Sequence, residues 1–315
     1  MDKIKSAISA FVAHCQFEKH LSPKTIKAYK IDLKQFCQFI HLFKNTLTVV
    51  EVDKTILRGY IQSINIYKPK TIKRKIATIK AFFNFLEFED RITISPFRKM
   101  KVQIRDQKAL PNVMTITEIE KILKSAYQEK HLENDKTTYT YHEKIRNAAV
   151  IELLFATGVR VSELTGIRED HIDLMSGQIK VKGKGNKERI IQVCNLEALQ
   201  ILREYHKLFY TKIKNANGYF FINRLSKKLS EQSVRYLVKR HAKSAGLERR
   251  ITPHVFRHSF ATLLLEENVD IKYIQHLLGH SSIMVTQIYT HVNGEKQREI
   301  LSQKHPRRNI EMMIV

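Results

Sequence analysis

Cysteine is nearly missing from this chain of 315 residues. Its three cysteines, Cys15, Cys37 and Cys194, are odd in number and far apart, which argues against a disulfide framework and against a cysteine-based zinc site. Long apolar runs are missing too. None approaches the ~18 residues of a membrane span, and the N-terminus has no signal-peptide core, so the expected location is the cytoplasm with no membrane contact. Only 6 prolines and 10 glycines punctuate the chain, leaving few places that break a helix. There is no Walker A sequence: Gly183-Lys184-Gly185 has neither the spacing nor the Ser/Thr of one, which argues against nucleotide binding. Neither a clear carboxylate cluster nor an internal repeat is present.

Acidic residues are also scarce, 31 against 55 Lys and Arg, for a net charge of +24 and a pI near 9.9. A chain that is 43% hydrophobic buries a real core and is not disordered. The natural partner of so basic a surface is a polyanion, with nucleic acid first among them. Solubilising charge is the bland alternative, although it usually needs a smaller imbalance. Residues 1–110 carry 22 Lys and Arg against 9 Asp and Glu, so this third is the most densely basic.

Pro23, Pro69 and Pro253 each open a helical pattern, the first-turn position that tolerates proline. Ile26, Tyr29, Leu33, Phe36 and Ile40 step by three and four after Pro23, and Ile72, Ile76, Ile79, Phe83 and Leu86 do so after Pro69. Between them lie Lys24 and Lys27 on the first segment and Lys70, Lys73, Arg74 and Lys75 on the second, giving each helix a face for packing and a face for anions. A solvated charged face is the alternative; repetition across helices favours DNA. The expectation is an all-helical domain of about four helices over residues 1–93. Residues 94–112 hold Pro96 and Pro111, many charges and no sustained period, and read as a linker.

Beyond the linker, Thr115 and Glu118 form a capping-box pattern. The polar stretch Glu129–His142 reads as a mobile insertion, and Lys144–Thr157 as an apolar helix closed by Gly158. Ile179–Val181 and Ile190–Val193 flank a basic glycine-containing turn, a hairpin. Helical patterns cover 195–213, 230–245, 253–267 and 270–278. The fold class is mainly α: an all-helical N-terminal domain, then a mixed α+β, mostly helical domain with a small antiparallel sheet, over 113–294.

Phosphate chemistry runs either on metals held by carboxylates or on protein cations alone. The second domain offers the cations: Arg160 after Gly158, Lys184 in the hairpin turn, His254 and Arg257 one turn apart, and His280 after Gly279, with Tyr289 nine residues later. Singly, each is more often surface, ion pair or core. His254 and His258 have zinc spacing but lack a flanking Glu and a third ligand, so no metal and no other cofactor is expected. Together, two arginines, a lysine, two histidines and a tyrosine supply what metal-free transesterification at a phosphodiester needs.

In these boxes the chain resembles the tyrosine recombinases of the phage integrase family, most closely the Xer-like branch. Leu21–Ile26 with Tyr29 and Thr71–Leu86 resemble the core-binding, SAM-like helices. Ala156–Leu164 resembles the first catalytic box, Gly183–Arg189 the lysine hairpin, and His254–Thr262, Leu277–Ser281 and Thr286–Val292 the rest, in register. The resemblance implies a site-specific recombinase that cuts and rejoins double-stranded DNA through a 3′-phosphotyrosyl intermediate and a Holliday junction. Tyr289 would be the nucleophile, His254 would handle its proton, Lys184 would protonate the leaving oxygen, and Arg160, Arg257 and His280 would stabilise the transition state. Glu163 and His258 would support them, and Lys187 and Arg189 would join the DNA-binding cations.

The resemblance further implies a C-shaped clamp on DNA, working as a homotetramer on synapsed sites, alone or with a paralogous recombinase. The segment 295–315 would dock in trans on the neighbouring protomer, with a frayed end as the alternative. Two other functions fit the same domains: a non-catalytic DNA-binding regulator or junction-binding protein, and a tyrosine topoisomerase. Chromosome dimer resolution, integration or excision of a mobile element, and inversion would all use one active site, so the biological task stays open.

Overall fold

A computed structural model describes residues 4–42, 48–105, 112–132, 135–183, 188–279 and 294–310. The chain divides into two compact units, Met1–Ala109 and Leu110–Val315. No described helix is long and apolar enough to cross a membrane.

The first unit is helical: α1 (Ile4–Ala13), α2 (Pro23–His41), α3 (Lys54–Ser63) and α4 (Pro69–Phe88). Local chemistry sets their starts. The Ser22 and Asp53 side chains accept the Thr25 and Ile56 amide N–H groups, and Pro23 and Pro69 occupy first-turn positions whose missing N–H costs nothing. The apolar stripes meet in a core that includes Phe11, Leu33, Phe36, Phe82, Phe83 and Leu86. Fully burying a side chain of this size contributes about 1.5–3 kcal/mol. The core extends into the stretch expected to be a linker. The turn Ser95–Arg98, closed by the Arg98 amide on the Ser95 carbonyl, buries Phe97 against Phe83.

One charge departs from expectation inside this unit. Asp32 on α2 is fully buried and accepts from Arg74, from the Lys75 ammonium at 3.3 Å and from the Thr78 hydroxyl at 3.1 Å, while Lys75 also donates to Gln35. Lys75 is thus a core ion-pair partner, 2% exposed, and not a surface cation. A buried carboxylate requires such neutralisation.

The second unit centres on α6 (Tyr139–Thr157), whose residues from Ile145 to Thr157 are all buried. A helix buried on every side belongs in the middle of a core. Packed against it are α5 (Ile116–His131), α8 (Leu196–Lys214) and α10 (Pro253–Glu266). Helix covers the two ends of the region read as an insertion, 129–131 and 139–142. The Thr115–Glu118 capping box starts α5, which runs on to His131, and Thr138 caps the early start of α6. Polar side chains there mark solvent-facing helix ends, including Lys130 on Glu204 at 2.6 Å. Remaining helices are α7 (Val161–Gly166), α9 (Glu231–Ser244), α11 (Ile271–Leu278) and α12 (Gly294–Lys304).

The sheet has three antiparallel strands in order: β1 (Ile172–Asp173), β2 (Gln178–Lys182) and β3 (Glu188–Gln192). Two-residue β1 is too short to show a period in sequence. In the hairpin Ile179 faces Ile191 and Val181 faces Arg189.

The described residues 294–310 pack on their own unit. Leu301 joins Phe260, Ile274 and Leu278, and Ile310 enters the main core. Arg307 is fully buried on Glu152 of α6. The apolar end Met312–Val315 lies outside the described residues.

Candidate active site

Helix α6 ends in a left-handed turn at Gly158, φ 59°, and the chain then runs directly to Arg160 at the start of α7. A Cβ at 158 would lie 2.6 Å from the Phe260 ring, so glycine is needed for both backbone and space. The Glu163 carboxylate folds back to accept the Arg160 amide at 2.9 Å and its Nη1 at 2.7 Å. Helix α10, capped by the Thr252 hydroxyl on the Val255 amide, carries His254, Arg257 and His258 in its first two turns.

Arg257 is 3% exposed and donates from Nη1 to the Gly158 carbonyl at 2.9 Å and from Nη2 to the Leu278 carbonyl at 2.5 Å. Arg160 donates to the Leu278 and Gly279 carbonyls at 3.5 and 3.2 Å. Both guanidinium groups thereby meet at the C-terminal end of α11, where unpaired carbonyls concentrate negative charge. Gly279, φ 62°, closes that helix, and His280 follows it in the chain. Burial, then the Arg160 charge, pulls the Arg257 guanidinium down to about 10, leaving it cationic at neutral pH. Burial works to raise the Glu163 carboxyl, but hydrogen bonds and charge from Arg189, with Arg160, hold it below its ordinary value. It stays an anion.

His254 and His258 are exposed, their rings perpendicular and their Nε2 atoms 3.1 Å apart. Partial burial comes first in lowering the His254 pKa, followed by the charges of His258, Arg257 and Arg160. A neutral imidazole able to take a proton results. Among the described residues, no group of three or more His, Cys, Asp or Glu side chains is placed to hold a metal.

The structure thus brings together Arg160, Glu163, His254, Arg257 and His258. Lys184, Lys187, His280 and Tyr289 lie outside the described residues. Of the other cations expected on DNA, Lys24, Lys27, Lys70, Lys73 and Arg74 are exposed. Lys27 lines a cleft of about 510 Å³ with Lys30 and Lys34 over Leu21, Ile26 and Ile31. Arg189 is different: its side chain is 12% exposed and forks onto Glu163. The sequence does carry a signal for this, since period two along β3 puts Arg189 on the face of buried Ile191. A second missed feature, Arg307 on Glu152, is signalled by one carboxylate within the otherwise apolar run Ala148–Ala156 of α6.

Two family models match this chain: the phage integrase family over residues 112–296, and the phage integrase N-terminal SAM-like domain over residues 8–90. A tyrosine recombinase of Agathobacter rectalis is 44% identical over 310 residues, covering 98% of this chain and 99% of the relative. Tyrosine recombinase XerC of Thermodesulfovibrio yellowstonii is 35% identical, covering 95% and 96%. Among solved structures, the XerH site-specific recombinase in a post-cleavage complex with its palindromic difH substrate aligns with a TM-score of 0.68 at 23% identity, covering 94% and 84%. A lambda integrase tetramer bound to a Holliday junction aligns with a TM-score of 0.61 at 20% identity, covering 90% and 78%.

Proposed function

Because the chain belongs to the phage integrase family, we propose that it is a site-specific tyrosine recombinase in which Tyr289 attacks a DNA phosphate. The products are a 3′-phosphotyrosyl link and a free 5′-hydroxyl, and reversal of the step rejoins the strand. The observation that carries the residue assignments is the convergence of Arg160 and Arg257 on the end of α11, one residue before His280 in the chain. Two guanidinium groups held by backbone carbonyls are positioned in advance, and their remaining donors fit the non-bridging oxygens of a phosphorane-like transition state.

A tyrosine hydroxyl with an ordinary pKa of about 10 needs a base at neutral pH, and the neutral His254 imidazole takes that role. Lys184 returns a proton to the departing 5′-oxygen, and His280 donates to the phosphate. Lys24, Lys27, Lys70, Lys73, Arg74 and Lys187 grip the DNA backbone. The working assembly is a homotetramer on two synapsed sites, the state on a junction in which lambda integrase, sharing this fold, was solved. The basic composition and reduced cysteines support action on DNA in the cytoplasm.

The test uses a pool of random-sequence duplexes carrying bridging phosphorothiolates, whose thiol leaving group blocks rejoining. A covalent adduct that survives detergent is expected, and proteolysis should leave the nucleotide on the peptide containing Tyr289. An adduct mapped to another residue removes the nucleophile assignment. Tight DNA binding with no adduct across the pool would instead favour a non-catalytic regulator.

The histidine pair yields a pH prediction. His254 must be neutral to accept a proton, so cleavage falls as pH drops through its pKa. His258 is among the groups lowering that pKa, and His258→Asn removes its charge. The acid limb of the cleavage–pH profile should therefore move to higher pH, with the plateau rate little changed. A limb that stays put means the pair is not coupled to the base.

A further inference from the structure

Three arginines, not two, converge on the end of α11. The third is Arg189, which donates from Nε to the Leu277 carbonyl at 3.0 Å. Its Nη1 and Nη2 reach Glu163 Oε1 and Oε2 at 3.1 and 2.9 Å, a two-pronged charge-assisted fork. With the Arg160 amide and Nη1, Glu163 thus accepts four N–H groups, two on each oxygen. We propose that Arg189 is a positioning residue, which locks Glu163 and the α11 terminus and so holds Arg160 in phosphate-binding geometry, instead of touching DNA itself. This rests on the reading of Arg160 as a phosphate clamp.

Three observations argue for it. Arg189 lies on the inward face of the hairpin, directly across from buried Val181, and its side chain is 12% exposed. Three of its five N–H donors are engaged, one by the Leu277 carbonyl and two by Glu163. The helix stop at Gly279 is also built around this side chain: a Cβ there would lie 3.0 Å from Nη1. Finally, the residue joins three separate chain segments, namely β3, α7 through Glu163, and α11 through Leu277. Lys184 lies in the chain between β2 and β3. One guanidinium therefore sets the relation between the hairpin strand, the first arginine and the helix that leads to His280.

The test uses the full-length protein and the phosphorothiolate duplex that the wild type enriches from the random pool. Arg189→Gln should cut the single-turnover cleavage rate at saturating DNA by about 10–100-fold, the cost of a displacement of about 1 Å at a reacting group. DNA affinity, and its dependence on salt between 50 and 200 mM, should be unchanged. Arg189→Lys should behave similarly, because an ammonium keeps the charge but not the fork. In urea unfolding, the Arg189→Gln and Glu163→Gln losses should be strongly non-additive, a readout independent of catalysis. Wild-type cleavage by Arg189→Lys overturns the proposal. So does weaker binding with a salt slope reduced by about 1, the signature of a lost phosphate contact. Arg160→Ala separates the two claims: undiminished cleavage by that variant removes the clamp reading, while additive Arg189 and Glu163 losses remove the lock.

Discussion

Arg257→Lys is expected to lower strand cleavage at saturating DNA by about 10²–10³-fold, the loss typical of removing one preorganised donor from a developing anion. Lysine keeps the charge at this position but presents a single ammonium where the guanidinium spans two carbonyls, Gly158 and Leu278. Those carbonyls belong to the turn before Arg160 and to the end of α11. Arg257 therefore joins the two segments that would wall the proposed phosphate site as well as contributing charge. Alanine would be a poorer test, since it strips the Gly158 carbonyl of its side-chain donor at about 1–3 kcal/mol and mixes folding with chemistry. Single-turnover cleavage on the enriched duplex, with a thermal melt beside it, distinguishes the effects. A lysine variant that melts normally and cleaves within tenfold of the wild type would show that Arg257 is only structural.

What the sequence makes legible here follows from how tightly chemistry constrains it. Gly158 before Arg160, Pro253 before His254 and Gly279 before His280 are backbone requirements, and each sits at a helix boundary where the structure places it. The caps at Ser22 and Thr115 and the hairpin strands are equally local, so they too can be read without tertiary knowledge. Long charged side chains are harder to read. Lys75 follows Lys73 and Arg74 in a basic run, and only its contact with Asp32, 43 residues away, shows that it points inward. Arg189 sits in a basic hairpin that composition assigns to DNA, and only the pairing register with Val181 turns it toward Glu163. The polar stretch before α6 misleads for the opposite reason. Helix ends facing solvent need no apolar residues, so the absence of periodicity does not mean absence of helix.

Arg307 is the extreme case of such a long-range partner, and the second large effect is expected there. Arg307 and Glu152 are both fully buried, with the guanidinium on both carboxylate oxygens at 2.9 and 3.1 Å and further bonds to Glu197 and the Ile310 carbonyl. Tyr127 donates to the same carboxylate at 3.0 Å. Burial alone would lower the Arg307 pKa, but the Glu152 charge and hydrogen bonds raise it on balance. Arg307→Ala leaves the Glu152 carboxylate in the core without its cation, which costs about 3–5 kcal/mol. At roughly 2–4 °C per kcal/mol for a unit of this size, the melting temperature should fall by roughly 6–20 °C. Adding Glu152→Gln, which removes the stranded charge, should recover part of the loss, whereas two unrelated core defects would add. A melt within 2 °C of the wild type for Arg307→Ala would mean that the buried pair does not hold this segment. The position of the pair gives the result functional weight. Residues 280–293, which contain Tyr289, lie in the chain between Gly279, where Arg160 donates to the carbonyl, and α12, which leads into the Arg307 anchor. The segment proposed to carry the nucleophile is thus flanked in the chain by the Arg160 contact on one side and by buried Arg307 on the other, so loosening Arg307 should lower cleavage at temperatures where the rest of the unit is still folded.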